Sequence, residues 1–201
     1  MEISAAIVKQ LRDQTGAPMM DCKKALLESK GDFEKAVIYL RQKSLATVAK
    51  KADRTTADGL IASYIHPGSK IGVMVELNCE TDFVARSQAF TEFTKNVTMH
   101  IAALNPLYIR REDVSTQVIE HEKSIYREQA KDSGKPEKFW DKIISGRLEK
   151  FYSDVCLMEQ IYIKDDTRSI QDVLNGLIAQ LGENISIRRF TRYQLGEALP
   201  Q

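Results

Sequence analysis

The sequence predicts an α+β fold, a small three-helix module followed by a larger domain with an antiparallel sheet, packed helices and a helical hairpin. Three observations carry this. Helical apolar spacing fills residues 1–50, strand-like runs stand at both ends of a helical block, and a polar stretch separates the two regimes. The boundaries so read are 1–50 for the three-helix module, 51–57 for a linker and 58–201 for the core domain, with the hairpin at about 112–151.

In the module, Ile3, Ile7 and Leu11 recur every four residues as an apolar stripe that Thr15-Gly16 closes. After Ala17-Pro18 a second helix carries Cys22, Ala25 and Leu26 on one side; Gly31 ends it. Asp32 is a natural N-cap for the third, where Phe33, Ala36, Val37 and Leu40 follow i, i+3, i+4, i+7 spacing. The polar run Lys50-Lys51-Ala52-Asp53-Arg54-Thr55-Thr56 reads as the linker.

In the core domain, runs 59–66 and 70–79 flank Pro67-Gly68-Ser69, which is good hairpin chemistry. A long helix is expected from Thr81-Asp82, with Phe90, Phe93, Val97, Ile101 and Leu104 buried and Asn105-Pro106 as its stop. Val114, Val118, His121 and Ile125 alternate steps of four and three, as a coiled-coil seam does. Ser133-Gly134-Lys135-Pro136 turns the chain back, and Trp140, Ile144, Leu148 and Phe151 line the returning helix. Ser169 caps a last helix with Ile170, Val173, Leu174, Leu177, Ile178 and Leu181 inward; Gly182 ends it, and 184–195 alternate as a final strand.

At 201 residues, 43% hydrophobic, 28% charged and net charge +1, the composition is that of an ordinary soluble globular protein with no overall bias toward nucleic acid or an anionic membrane. No apolar run approaches the ~20 residues that span a bilayer. The start Met1-Glu2-Ile3-Ser4 is not a signal peptide, and three unspaced cysteines fit a reducing cytoplasm better than a disulfide framework.

Sites for chemistry are scarce. Gly68-Ser69-Lys70 lacks the upstream glycine of a phosphate loop. His66, His100 and His121 have no partner at metal-ligand spacing, and His121 in an apolar seam reads as a polar core residue. Cys79 beside Glu80 suggests a thiol nucleophile, but a buried inert thiol is the simpler reading. Glu80 and Asp82 suggest a carboxylate pair, against which stands a capping acid at a helix start. The basic clusters Lys50, Lys51, Arg54 and Arg188, Arg189, Arg192 lack interleaved aromatics and read as solvated faces.

Two runs carry a resemblance. Thr15-Gly16-Ala17-Pro18-Met19-Met20-Asp21-Cys22-Lys23-Lys24-Ala25-Leu26, followed by Gly31-Asp32, and Cys79-Glu80-Thr81-Asp82-Phe83-Val84-Ala85 resemble the hallmarks of the elongation factor Ts family. Met99-His100-Ile101-Ala102-Ala103, Ser133-Gly134-Lys135-Pro136, Gly146-Arg147-Leu148-Glu149-Lys150-Phe151 and Phe190-Thr191-Arg192-Tyr193 match in order, so the resemblance spans essentially the whole chain. Ile161-Tyr162 stands where Pro-Phe is common, Pro18 where many members have glycine, and Ser44-Leu45 where Lys-Gly is frequent. The chain resembles the compact bacterial form, with one copy of the central sheet module.

The resemblance implies a guanine nucleotide exchange factor, not an enzyme. It would bind elongation factor Tu carrying GDP and release GDP by disturbing the Mg2+/phosphate site, allowing GTP to rebind. Thr81, Asp82, Phe83 and Val84 would reach the G domain of Tu, with Phe83 as a wedge near the magnesium and Asp82 supporting displaced backbone. Leu11, Met19 and Met20 of the N-terminal module, which resembles ubiquitin-associated (UBA) domains, would touch the same G domain. His100 marks a core region touching another Tu domain. One methionine at least is expected to pack inside, and Leu11 reads as core more readily than as contact. A homodimer binding two Tu molecules is implied, with a cytoplasmic location and no cofactor, metal, nucleic acid or membrane partner. On residues alone Phe83 reads as core, since it precedes Phe90 by seven positions and shares its face in an unbroken helix. The competing reading is a UBA-like protein-binding adaptor without exchange activity.

Overall fold

The computed structural model describes residues 3–134 and 136–198; the start at Met1-Glu2 and Lys135 of the expected reversing turn lie outside them. Within them are eight α-helices and one three-stranded antiparallel sheet, the α+β arrangement read from the sequence.

Helices α1 (Ala5–Thr15), α2 (Met19–Glu28) and α3 (Phe33–Ala49) enclose a core of Val8, Leu11, Cys22, Ala25, Leu26, Ala36 and Leu40. Ser4 and Asp32 cap α1 and α3 by accepting the Ile7 and Lys35 amides. Ile3 and Ile7 are only half-buried, because the inward face of α1 passes through Val8 and Leu11 instead. The stretch expected as a linker starts from a helix already packed on the rest of the chain. Helix α3 lies along α8 (Ile170–Leu181), joined by Arg41–Asp172 at 3.1 Å and by Ser44 Oγ donating to the Asn175 carbonyl at 3.0 Å. Beyond it, Lys51 donates to the Gly182 carbonyl.

Strands β1 (Asp58–Ile65), β2 (Ile71–Cys79) and β3 (Ile185–Gln194) pair in that order with β2 central. Gly59 at φ +146° is obligatory: a Cβ there would stand 2.0 Å from the Leu77 carbonyl oxygen. A bulge between Glu76 and Leu77 leaves Arg188 as an extra residue in β3, so Arg188 and Arg189 both reach Glu76. One sheet face packs Val73, Val75, Leu77, Ile185 and Ile187 against α5 and α8. The other carries Ile61, Ile65, Met74 and Tyr193, all exposed.

The single long helix expected from Thr81 is two helices. One turn, α4 (Asp82–Ala85), ends at Arg86, and α5 (Gln88–Leu104) starts afresh after Ser87. Ser87 is extended (φ −65°, ψ 145°) and its hydroxyl accepts the Phe90 amide, an N-cap placed inside the periodic run. Phe90, Phe93, Val97 and Ile101 are buried as expected, whereas Leu104 in the last turn is exposed before the left-handed cap Asn105.

The hairpin pairs α6 (Thr116–Asp132) with α7 (Trp140–Val155). Its inner face runs through Val118, Ile119, Glu122 and Tyr126, so His121, expected in the seam, points to solvent. At the base, Arg111 donates to Glu149 at 2.9 and 2.6 Å and also to Glu159, and its guanidinium lies 4.5 Å from the Tyr152 ring centre. Helix α8 begins with a Ser169/Asp172 capping box and stops at left-handed Gly182, directly before β3.

Candidate functional site

The break at Ser87 decides what Phe83 does. On a one-turn helix leaving the end of β2, Val84 and Ala85 turn under into the core while Phe83 is left 83% exposed. Asp82 is also exposed, paired with Arg86 at 2.9 Å. The ring and its acid therefore stand on solvent-facing backbone that is pinned from below.

The pins come from the α8–β3 loop. Glu183 Oε2 accepts the amides of Glu80 and Thr81, each at 3.1 Å, and Oε1 accepts the Thr81 hydroxyl at 2.6 Å. The same Thr81 hydroxyl oxygen caps α4 by accepting the Val84 amide at 3.4 Å. In return, Glu80 Oε1 accepts the Asn184 amide at 2.6 Å, and Arg54 donates to the same carboxylate. The Asn184 amide and then the Arg54 charge hold the Glu80 carboxyl below the ordinary carboxylate range. Asn184 Nδ2 donates to the carbonyls of Ala52 and Arg54, tying the linker to the same loop.

This geometry settles the chemistry of the neighbouring groups. Glu80 is a brace and Asp82 faces solvent, so the two do not converge on a common point. The Cys79 thiol is wholly buried and donates to the Thr81 carbonyl. Burial, with Glu183 and Asp58 adding negative charge, pushes its pKa up to about 11, the opposite of an activated nucleophile.

The other sequence-nominated residues divide sharply. Met19 (42% exposed) and Met20 (71%) both open to solvent, so neither packs inside the module as expected for one of them. Leu11 and His100 are 0% exposed. Leu11 fills the centre of the three-helix module. His100 accepts the Ile163 amide at Nδ1 (3.3 Å), so Nε2 carries the proton and donates to Gln160 Oε1 at 3.0 Å. Gln160 Nε2 in turn donates to the Asp154 carbonyl at 2.7 Å. Neither side chain offers a surface to a partner in this conformation. The residues that reach solvent beside His100 are Leu104 and Ile163.

Five members of the basic clusters have internal partners: Lys51 the Gly182 carbonyl, Arg54 Glu80, Arg188 and Arg189 Glu76, and Arg192 the Ala102 carbonyl. Among the described residues, no group of three or more His, Cys, Asp and Glu could hold a metal ion, and no helix is long and apolar enough to cross a membrane.

Glu183 escaped the sequence reading, yet a signal for it exists. It follows the helix-stop glycine, where the negative end of the α8 dipole disfavours an acid. A carboxylate at that position needs donors from elsewhere, and here they are the amides at the root of α4.

The site is thus a set of exposed apolar side chains, with Phe83 on backbone stapled from below. The family model described as Elongation factor TS matches residues 2–197. A protein named Elongation factor Ts from Geobacter metallireducens is 58% identical over 199 residues, covering 99% of this chain and 92% of that relative. Its namesake in Citrifermentans bemidjiense is 57% identical with the same coverage. That of Caldanaerobacter subterraneus subsp. tengcongensis is 56% identical over 98% of both chains. The chain belongs to the elongation factor Ts family of translation elongation factors.

Proposed function

We propose that this chain is a cytoplasmic, non-enzymatic guanine nucleotide exchange factor that binds elongation factor Tu·GDP and speeds GDP release through Phe83. The observation that carries it is an aromatic ring 83% exposed, on a turn braced at its root, in a chain of this family. A GDP held partly through magnesium is weakened by a small shift of the residues that order the ion. Burying an aromatic ring in an apolar slot yields about 2–3 kcal/mol. That gain exists only while the slot is open, so the factor favours the loosened state. Coupling is reciprocal: GDP weakens the factor as much as the factor weakens GDP, and abundant GTP rebinds and expels it.

In this reading Asp82 supports the displaced backbone, while Thr81 and Val84 anchor the turn. Residues 1–50 act as a docking module through Met19 and Met20, whose adaptable thioethers suit a moving surface. Leu11 and His100 contribute through what they hold in place. Nucleic acid, membrane and cofactor have no part in it. The open sheet face with Ile61, Ile65, Met74 and Tyr193 supports a homodimer and so a two-Ts, two-Tu complex. Sedimentation equilibrium of wild type and Met74→Glu checks this, a monomeric wild type being the adverse result.

The deciding experiment is release of fluorescent GDP from purified elongation factor Tu. Wild type accelerates release and Phe83→Ala does not; normal acceleration by Phe83→Ala would instead favour the adaptor reading.

A further inference from the structure

We infer that Glu183 is a positioning residue for Phe83: its carboxylate fixes the angle at which α4 leaves the sheet. The inference rests on the exchange reading of Phe83 and names what makes that ring effective.

The geometry isolates this role. Helix α4 is a single turn, too short to be stable on its own hydrogen bonds. The backbone amides of Glu80 and Thr81, in the segment that leads into it, point into the α8–β3 loop and end on one oxygen of Glu183. The other oxygen takes the Thr81 hydroxyl, whose oxygen caps α4. One side chain thus holds both amides that enter the turn and the group that starts it. Glu80 and Asn184 close the link in the opposite direction, and Asn184 carries it on to the linker carbonyls of Ala52 and Arg54. The ring and the linker leading to the N-terminal module are therefore referenced to one loop. A wedge works only if its ring arrives at a set place, and loss of about an ångström of definition is costly even when the contact itself is kept.

Four variants in the full chain separate the possibilities: Glu183→Ala, Glu183→Asp, Glu183→Gln and Phe83→Ala. Each is titrated into Tu carrying fluorescent GDP, reading the release rate at saturation and the half-saturating concentration separately. Amide exchange is followed at Glu80 and Thr81. Glu183→Ala lowers the saturating rate about tenfold or more, with half-saturation moved less than about threefold, and the two amides exchange faster while β2 and α5 keep their protection. Glu183→Asp, one methylene short, follows the alanine variant with its charge intact. Glu183→Gln restores most of the rate, because its carbonyl takes both amides and its NH2 donates to the Thr81 hydroxyl. The inference is overturned if the Asp or Ala variant loosens both amides yet keeps the wild-type rate, or if Gln is as poor as Ala. Should Ala not fold, the Asp and Gln arms decide on the same terms. A wild-type rate from Phe83→Ala would overturn the exchange reading itself, a result distinct from either.

Discussion

Phe83 and His100 look alike in the sequence, each an aromatic side chain within a helical run and each marked as a contact, yet one is 83% exposed and the other 0%. The difference is continuity of the helix that carries them. His100 belongs to the unbroken α5, so its position relative to Val97 and Ile101 commits it to the interior, where Ile163 and Gln160 satisfy both ring nitrogens. Phe83 is cut off from that face by Ser87, and a single turn at a strand end can present a ring without burying it. Where a residue acts is set by where its element begins.

The largest expected effect separates the two residues by function. Phe83→Ala removes about 2–3 kcal/mol of contact made only in the exchange complex, roughly a 30- to 150-fold loss in GDP release at subsaturating factor. Its thermal stability stays within about 0.5 kcal/mol of wild type, since an exposed ring leaves no cavity. Paired calorimetry and exchange assays check this, and a destabilised Phe83→Ala would show that the ring is core after all.

His100→Ala is the mirror experiment. It strands the Ile163 amide and the Gln160 carbonyl and opens a void, costing about 2 kcal/mol of stability by denaturant unfolding. Under conditions where the variant remains folded, GDP release is close to wild type. A severe exchange defect in stably folded His100→Ala would mean that the ring reaches a partner, contrary to its place in the fold.

Much of the fold was legible because the apolar periods are regular and the caps chemically explicit: Asp32, Ser169 and Gly182 stand where their side chains or lack of one demand. Phe83 and Met20 become candidates only through resemblance to a family, and residue pattern alone points the other way for Phe83. What stayed hidden was long-range pairing. Glu183 lies 102 positions from Thr81 and Gln160 lies 60 from His100, and no local period encodes which donor a carboxylate or an imidazole will meet. Ser87 has the chemistry of a cap, but a serine inside a regular apolar period does not by pattern alone mark a helix start. His121 misses the seam because, past Val118, the inner face passes through Ile119, Glu122 and Tyr126.

The smallest effect tests the buried side of the comparison by titration. Burial disfavours the imidazolium of His100, and the Gln160 bond only partly offsets it, so its pKa lies below the ordinary 6.5. The imidazolium would also set a second N–H against the Ile163 amide, two donors with no acceptor between them. Protonation therefore favours the unfolded chain, and the His100 contribution is full above the ordinary value and lost as pH falls through the lowered one. The carboxylates held low, Glu76, Glu80 and Glu149, lose their contribution only below 4.5, on the acid side of the fall that begins at 6.5 for His100. Between pH 7 and about 5.5 the thermal midpoint falls in wild type. In His100→Gln it starts lower and stays flat over that interval, while Phe83→Ala keeps the wild-type slope. A wild-type slope in His100→Gln would place the sensitive proton elsewhere and remove the electrostatic half of the contrast between the two aromatic positions.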